Sequence, residues 1–245
     1  LKSGDIAKEE KFKLILTSKI ESKLPPLLLK SCKQIVIENE QGLKKNMIDQ
    51  LLNDTSPLSL HKLNNIKPKE LKKLYLVLVW FFSLLLSRLR FSKGGFTKRY
   101  EISQSDLRNA EKFIGKFIIS KYETDEVEFE VSAEMLETVG KMISSLIFGG
   151  KFDDHGDLQA LQRCGFALFR SGMLGSHFNI LEFGGSDKLS APEGYNTMDY
   201  VEWIKNLPEK EPMDWLGLPE DAETTQREII ERKSTEAFQR ILEAI

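Results

Sequence analysis

Residues 68–90 read PKELKKLYLVLVWFFSLLLSRLR, and the fold of the chain turns on how this stretch is placed. Pro68 suits the first turn of a helix, where a missing N–H costs nothing, and Gly94-Gly95 lie just past the end, where helices commonly stop. Between them Leu71, Leu74, Tyr75, Leu78, Phe81, Phe82, Leu85 and Leu89 recur at helical spacing and supply an apolar side. The densest run, Leu74 to Leu86, is 13 residues broken by Ser83, well short of the ~20 that span a bilayer. It predicts a buried core helix.

Toward the C-terminus the pattern stays helical. Ser103-Gln104-Ser105-Asp106 has the spacing of a capping box, and Leu107, Ala110, Ile114, Phe117 and Ile118 give the next helix its buried face. After the acidic stretch Glu123 to Glu130, Ser132 caps a helix expected to run to Phe148 and to stop at Gly149-Gly150, which would supply a positive φ. Asp157 is placed as the cap of a helix through Leu161, Cys164, Leu168 and Phe169, and Thr197 as the cap of a short one carrying Tyr200, Val201, Trp203 and Ile204. Ala222 to Ile245 reads as one long amphipathic helix with Ile230, Ala237, Phe238, Ile241 and Ile245 in a stripe.

Toward the N-terminus, Phe12 to Thr17 and Gln34 to Ile37 read as two short strands, too few for a stable sheet of their own. Leu43 to Leu52 has helical spacing, and a polar loop with Asn53-Asp54, Pro57 and Asn64-Asn65 follows. The expected fold class is mainly α. The expected segments are 1–55, whose strands need sheet neighbours from elsewhere; 66–207, a helical subdomain; and 208–245, a C-terminal segment.

Composition excludes some functions and hides a pattern. A formal net charge of −2 over 245 residues argues against a dedicated nucleic-acid binder, and 41% hydrophobic residues are too many for a disordered chain. Residues 1–100 nevertheless hold 20 Lys/Arg against 9 Asp/Glu, and residues 101–245 hold 15 against 28, so opposite faces meeting different neighbours are expected. Cys32 and Cys164 form no CxxC pair and read as reduced thiols. The first residues carry no apolar segment behind a basic one, so no signal peptide is read there, and Leu1 looks like a cut inside a longer chain.

The chemistry-bearing patterns are weak. Gly149-Gly150-Lys151 is followed by Phe152 where a phosphate-binding loop needs a hydroxyl, and it follows a helix instead of a strand. Asp153-Asp154-His155-Gly156-Asp157 lacks both a later Glu and a second His, so it reads as a helix-capping loop ahead of a metal site. His61 and His177 stand alone in polar loops and read as surface residues. Arg88 and Arg90 close the apolar helix, where cations favour the helix dipole and could also meet a phosphate or a carboxylate. Trp215-Leu216-Gly217-Leu218-Pro219 must bury two large side chains, either in a local core or on a docking surface.

Several of these blocks, taken in order, carry a resemblance. They are Phe12 to Thr17, Ile37-Glu38, Gly42 to Met47, Trp80-Phe81 with Arg88, Arg90, Gly95 and Tyr100, Ser105 to Arg108, Ile147 to Lys151 with Asp154 and Asp157, and Trp215 to Pro219 with Ala222-Glu223. Together they cover nearly the whole chain and resemble the C-terminal end of the motor ring of dynein heavy chains: the end of the sixth AAA+ module and a short C-terminal helix. The Trp215 block is similar to the cytoplasmic branch, and a single closing helix is similar to fungal dyneins. Asn39-Glu40-Gln41 departs from the proline run that the family usually has there.

The resemblance implies a remnant of an AAA+ large subdomain followed by a helical small subdomain. It also implies a non-catalytic ring module of an ATP-driven, minus-end-directed microtubule motor, relaying conformational change. This fragment would then have no catalytic, metal or cofactor residues, with ATP and magnesium bound by other modules of a parent chain that is a motor ATPase. Its partners would be the remaining AAA+ modules and, through the parent, microtubules, accessory chains and dynactin, without nucleic acid or membrane insertion, at a cytoplasmic, cytoskeletal address. The interface residues expected are Trp215, Leu216, Leu218, Ile230, Phe238 and Ile241. The alternative is a freestanding helical interaction module, with the Trp215 region and the last helix as groove or ligand.

Overall fold

Every side chain of the central helix from Lys73 to Arg88 is buried, so this helix has no solvent side along that stretch. In the computed structural model, which describes residues 14–17, 25–35, 42–92, 94–124, 130–181 and 188–243, it is α4 (Glu70–Arg88). The sequence spacing predicts one apolar face. Burial is instead complete because α2 (Leu43–Leu52), α5 (Gln104–Thr124), α7 (His155–Leu168) and a 3-10 turn (Met213–Leu216) all pack against it. A helix that is apolar all round needs such a sheath.

The residues fall in two compact units, Leu1–Glu38 and Asn39–Ile245. In the first, Leu14 to Thr17 has no regular secondary structure, Ile15 is exposed, and α1 (Pro26–Ser31) is the described helix. The strands expected at 12–17 and 34–37 are not formed by their described residues, since a strand without a neighbour has no ladder to join. Phe12, Lys13, Val36 and Ile37 lie outside the described residues.

The second unit holds α2, α3 (Leu60–Asn64), α4, α5, α6 (Ala133–Lys141), α7, α8 (Thr197–Lys205) and α9 (Ala222–Glu243). No strand forms among the described residues, and the architecture is mainly α. The stretch expected as a polar loop contains α3, with Leu58 and Leu63 in the core. Leu43, Met47 and Leu51 of α2 are also buried and α2 packs on α4 and α8, so residues 43–55 belong with the helical body.

Caps explain where the helices begin. In α5 the carboxylate of Asp106 accepts from the Ser103 N–H at 2.8 Å, which is the reciprocal half of a capping box. Ser132 Oγ accepts from the Met135 N–H and caps α6, as its spacing predicts. The helix then loosens into a π-helical turn, Met142–Ile147, closed by Phe148 N–H donating to the Ile143 carbonyl at 3.0 Å. Two cap assignments shift by a few residues. Asp154 caps α7 and Asn196 caps α8. Asp157 and Thr197 are instead buried inside the first turn, each holding a distant segment.

Gly149 and Gly150 differ from expectation as well, because neither has a positive φ. A Cβ at Gly149 would lie 2.3 Å from the Ser144 carbonyl oxygen, so it is the close approach of the π-helical turn that demands glycine there. Around Gly150 nothing lies within 4 Å of such a Cβ. Gly149→Ala is therefore expected to destabilise the chain by about 1–3 kcal/mol through overpacking. Gly150→Ala should be neutral or stabilise by up to about 1 kcal/mol. Urea unfolding of both variants checks the contrast, and equal midpoints would refute it.

Candidate functional site

The segment Trp215 to Pro219 is held to the end of α4 by one side chain, Arg88, which is 6% exposed. Its Nη1 donates to the carbonyls of Leu216 and, at 3.4 Å, Gly217. Its Nη2 donates to the carbonyls of Gly95 at 2.9 Å and Gly94 at 3.4 Å. The guanidinium also lies 5.1 Å over the Phe96 ring. A planar fork of fixed donors is suited to this, because it meets carbonyls from two chain segments at once. Burial lowers the pKa of Arg88, while Cys164 and Asp157 pull it back toward its ordinary value. The Nη donors of Arg88 are therefore spent on carbonyls of the chain itself. It ties the turn after α4 to the Trp215 segment.

The apolar half of the same junction is aromatic. Trp80 of α4 packs between Trp203 of α8, with ring centroids 5.7 Å apart, and Trp215, at 6.1 Å. Trp215, Leu216 and Leu218 are buried, and Gly217 turns the chain with a left-handed φ of 62°. Of the six expected interface residues, these three are consumed in the chain's own core. Ile230 and Phe238 are exposed on α9, at 57% and 61%. Ile241 belongs to α9, and its side chain lies outside the described residues.

A second anchor joins residues 97–100 to α7. Asp157 Oδ2 accepts from the Thr97 N–H at 2.9 Å, the Thr97 hydroxyl at 2.7 Å and the Tyr100 hydroxyl at 2.8 Å. Burial pushes the Asp157 carboxyl up, but these donors from Thr97 and Tyr100 outweigh it and hold the pKa below the ordinary value. Burial and the Asp157 bond push Tyr100 up to about 12. Sequence reasoning missed this anchor because Thr97 and Asp157 are sixty residues apart.

The rest of the acidic cluster is equally occupied. Asp153 pairs with Lys98 at 2.7 Å, and Asp154 spends its carboxylate on the α7 cap. Lys151 donates to Asp106 and to the Glu101 carbonyl, so the Gly149-Gly150-Lys151 block braces the start of α5. Among the described residues no group of three or more His, Cys, Asp and Glu is placed to hold a metal ion. His61 is exposed, and His177 is exposed with Glu193 3.7 Å away.

The charge split is partly closed inside the molecule. Lys44 pairs with Glu209 at 2.6 Å, Arg90 with Glu211 at 3.5 Å, and Lys98 with Asp153, each joining the basic first hundred residues to the acidic remainder. Glu211 is buried and also accepts from the Leu43 N–H at 3.3 Å, the free end of α2. Opposite faces are therefore a poor description of this pattern.

These braces surround a helical body whose family can be tested by comparison. The model of the dynein heavy chain AAA lid domain matches residues 71–222. The chain belongs to the dynein heavy chain AAA lid family. The match begins in the first turn of α4 and ends on the first residue of α9, so both anchors lie inside it. The chain is 32% identical over 216 residues to the cytoplasmic dynein heavy chain of Caenorhabditis elegans and 30% over 213 residues to that of Dictyostelium discoideum. With cytoplasmic dynein 2 heavy chain 1 of Rattus norvegicus it shares 29% over 226 residues. These alignments take in 86–89% of the chain but only 4–5% of each relative. No described helix of this dynein lid is long and apolar enough to cross a membrane.

Two outcomes follow for the anchors. Arg88→Met leaves buried carbonyls of the lid without a donor and is expected to cost about 3 kcal/mol, read from urea unfolding by tryptophan fluorescence. A loss within experimental error would refute the clamp. The depressed pKa of Asp157 contributes stability above the ordinary carboxylate pKa of about 3.9, and that contribution is lost as pH falls through the lower folded value. Asp157→Asn should accordingly flatten the acid limb of the stability profile, and an unchanged limb would refute the assignment.

Proposed function

We propose that this lid is a non-catalytic module of an ATP-driven dynein ring on microtubules, and that it turns as one rigid body to pass conformational change between its neighbours. The observation that supports this most is the Arg88 clamp, which joins the end of α4, the turn at Gly94-Gly95 and the Trp215 segment. Rigid bodies rotating about interfaces are a common way for packed helices to transmit a change. The chemistry would belong to other modules of the parent chain, a motor ATPase that binds ATP with magnesium there.

In this reading the lid's direct partners are the remaining AAA+ modules of the heavy chain. Microtubules, accessory chains and dynactin are reached through the parent, and the address is cytoplasmic, as in the cytoplasmic dyneins it resembles. The exposed half of α9, with Ile230 and Phe238, docks on a neighbouring module, and Ile241 follows further along the same helix. In the intact heavy chain, the pair Phe238→Asp and Ile241→Asp is expected to lower microtubule-stimulated ATPase several-fold while the lid itself stays folded. ATPase equal to wild type would overturn the proposal.

A further inference from the structure

Between residues 89–92 and 96–99 on one side and α9 on the other runs a groove of about 880 Å³. Its α9 wall is fixed by Ser92, whose N–H and hydroxyl both donate to Gln226 Oε1 at 3.0 and 2.9 Å. Phe91, Phe96 and Ile229 give it an apolar floor, each less than a tenth exposed. Ile230 stands at its edge, and on a helix of 3.6 residues per turn Ala237 and Phe238 continue the same stripe past the groove, all exposed.

The charges along this face are unequal. Arg99, Arg227 and Lys233 line the groove and make no ion pair with any described residue. Of the carboxylates lining it, Glu223 is paired with Lys210 at 2.6 Å, outside the groove. Glu231 is the other, on the flank of the stripe; Glu228 falls on the far side of α9, and Glu236, two turns beyond Ile229, lies past the groove with Arg232 4.0 Å away. An apolar strip whose flanks carry more cations than carboxylates is complementary to an apolar strip with carboxylates on its flanks. Phosphate-rich ligands would meet the cations and leave the aromatic floor uncovered.

We infer that this groove and the stripe beyond it seat an acidic amphipathic helix from another part of the same heavy chain. The occupant is assigned to the parent chain because nearly all of each heavy-chain relative lies outside the matched stretch. A helix fits because apolar residues at positions 230, 237 and 238 repeat with helical spacing and offer a ridge for a second helix to pack along. The inference rests on reading α9 as a docking helix and adds the chemistry of what it docks on.

The test uses the intact heavy chain with p-benzoylphenylalanine in place of Ile230, photo-crosslinked and mapped by mass spectrometry. The expected product is an intrachain cross-link to one segment of net negative charge. Its yield should fall about tenfold in Arg227→Glu plus Lys233→Glu and stay level in Glu228→Lys, on the far side of α9. A cross-link to a neutral or basic segment, or to another polypeptide, overturns the acidic occupant while leaving docking intact. No cross-link, together with normal ATPase in Phe238→Asp plus Ile241→Asp, overturns the docking reading itself.

Discussion

A guanidinium buried with no carboxylate against it has to be answered by dipoles, and in this chain the dipoles come from two backbone turns that are otherwise unconnected. Arg88 gathers the carbonyls of Gly94-Gly95 on one side and of Leu216-Gly217 on the other. Unpaired, each buried carbonyl would cost of order 1–3 kcal/mol, so the clamp and the two turns require one another. The Trp80, Trp203 and Trp215 contacts then follow, because the Trp215 segment is delivered to the side of α4 by the same bonds.

Around that junction the remaining polar groups act as ties between distant stretches. Asp157 draws Thr97 and Tyr100 onto α7, Glu211 closes the open end of α2, and Lys151 reaches back to Asp106. These side chains satisfy backbone donors, hydroxyls or one another, as buried polar groups in folded chains generally do. The family match over residues 71–222 takes in the ties of Arg88, Asp157 and Lys151, while α2, held by Glu211, lies before it.

The sequence carried the helices well where a local signal existed. Ser132, the S-x-x-D spacing before α5, the helical spacing of Leu43 to Leu52 and the apolar density of α4 each act within one or two turns, so a linear reading finds them. It went astray where two readings share the same residues. Asp154 and Asp157 both fit a cap, and only the approach of Thr97 decides which carboxylate is free for it. The Trp215 block was legible as something that must be buried, but not as core against surface, since that depends on Arg88 being within reach. The charge split misled for the same reason: sequence gives the totals, while pairs such as Lys44 with Glu209 are made by the chain's return. The strands expected near the N-terminus depend on neighbours that local pattern cannot supply.

The shape of α9 has a mechanical consequence. Its last buried side chain among those described is Ile229, yet the helix continues to Glu243, a further 14 residues or about 21 Å rooted in the lid. A rotation of the root by about ten degrees sweeps the far end through about 4 Å, more than the rise of two helical residues. Such a moment arm converts small angles of a stiff body into displacements as large as a side chain, and its gain is set by length alone.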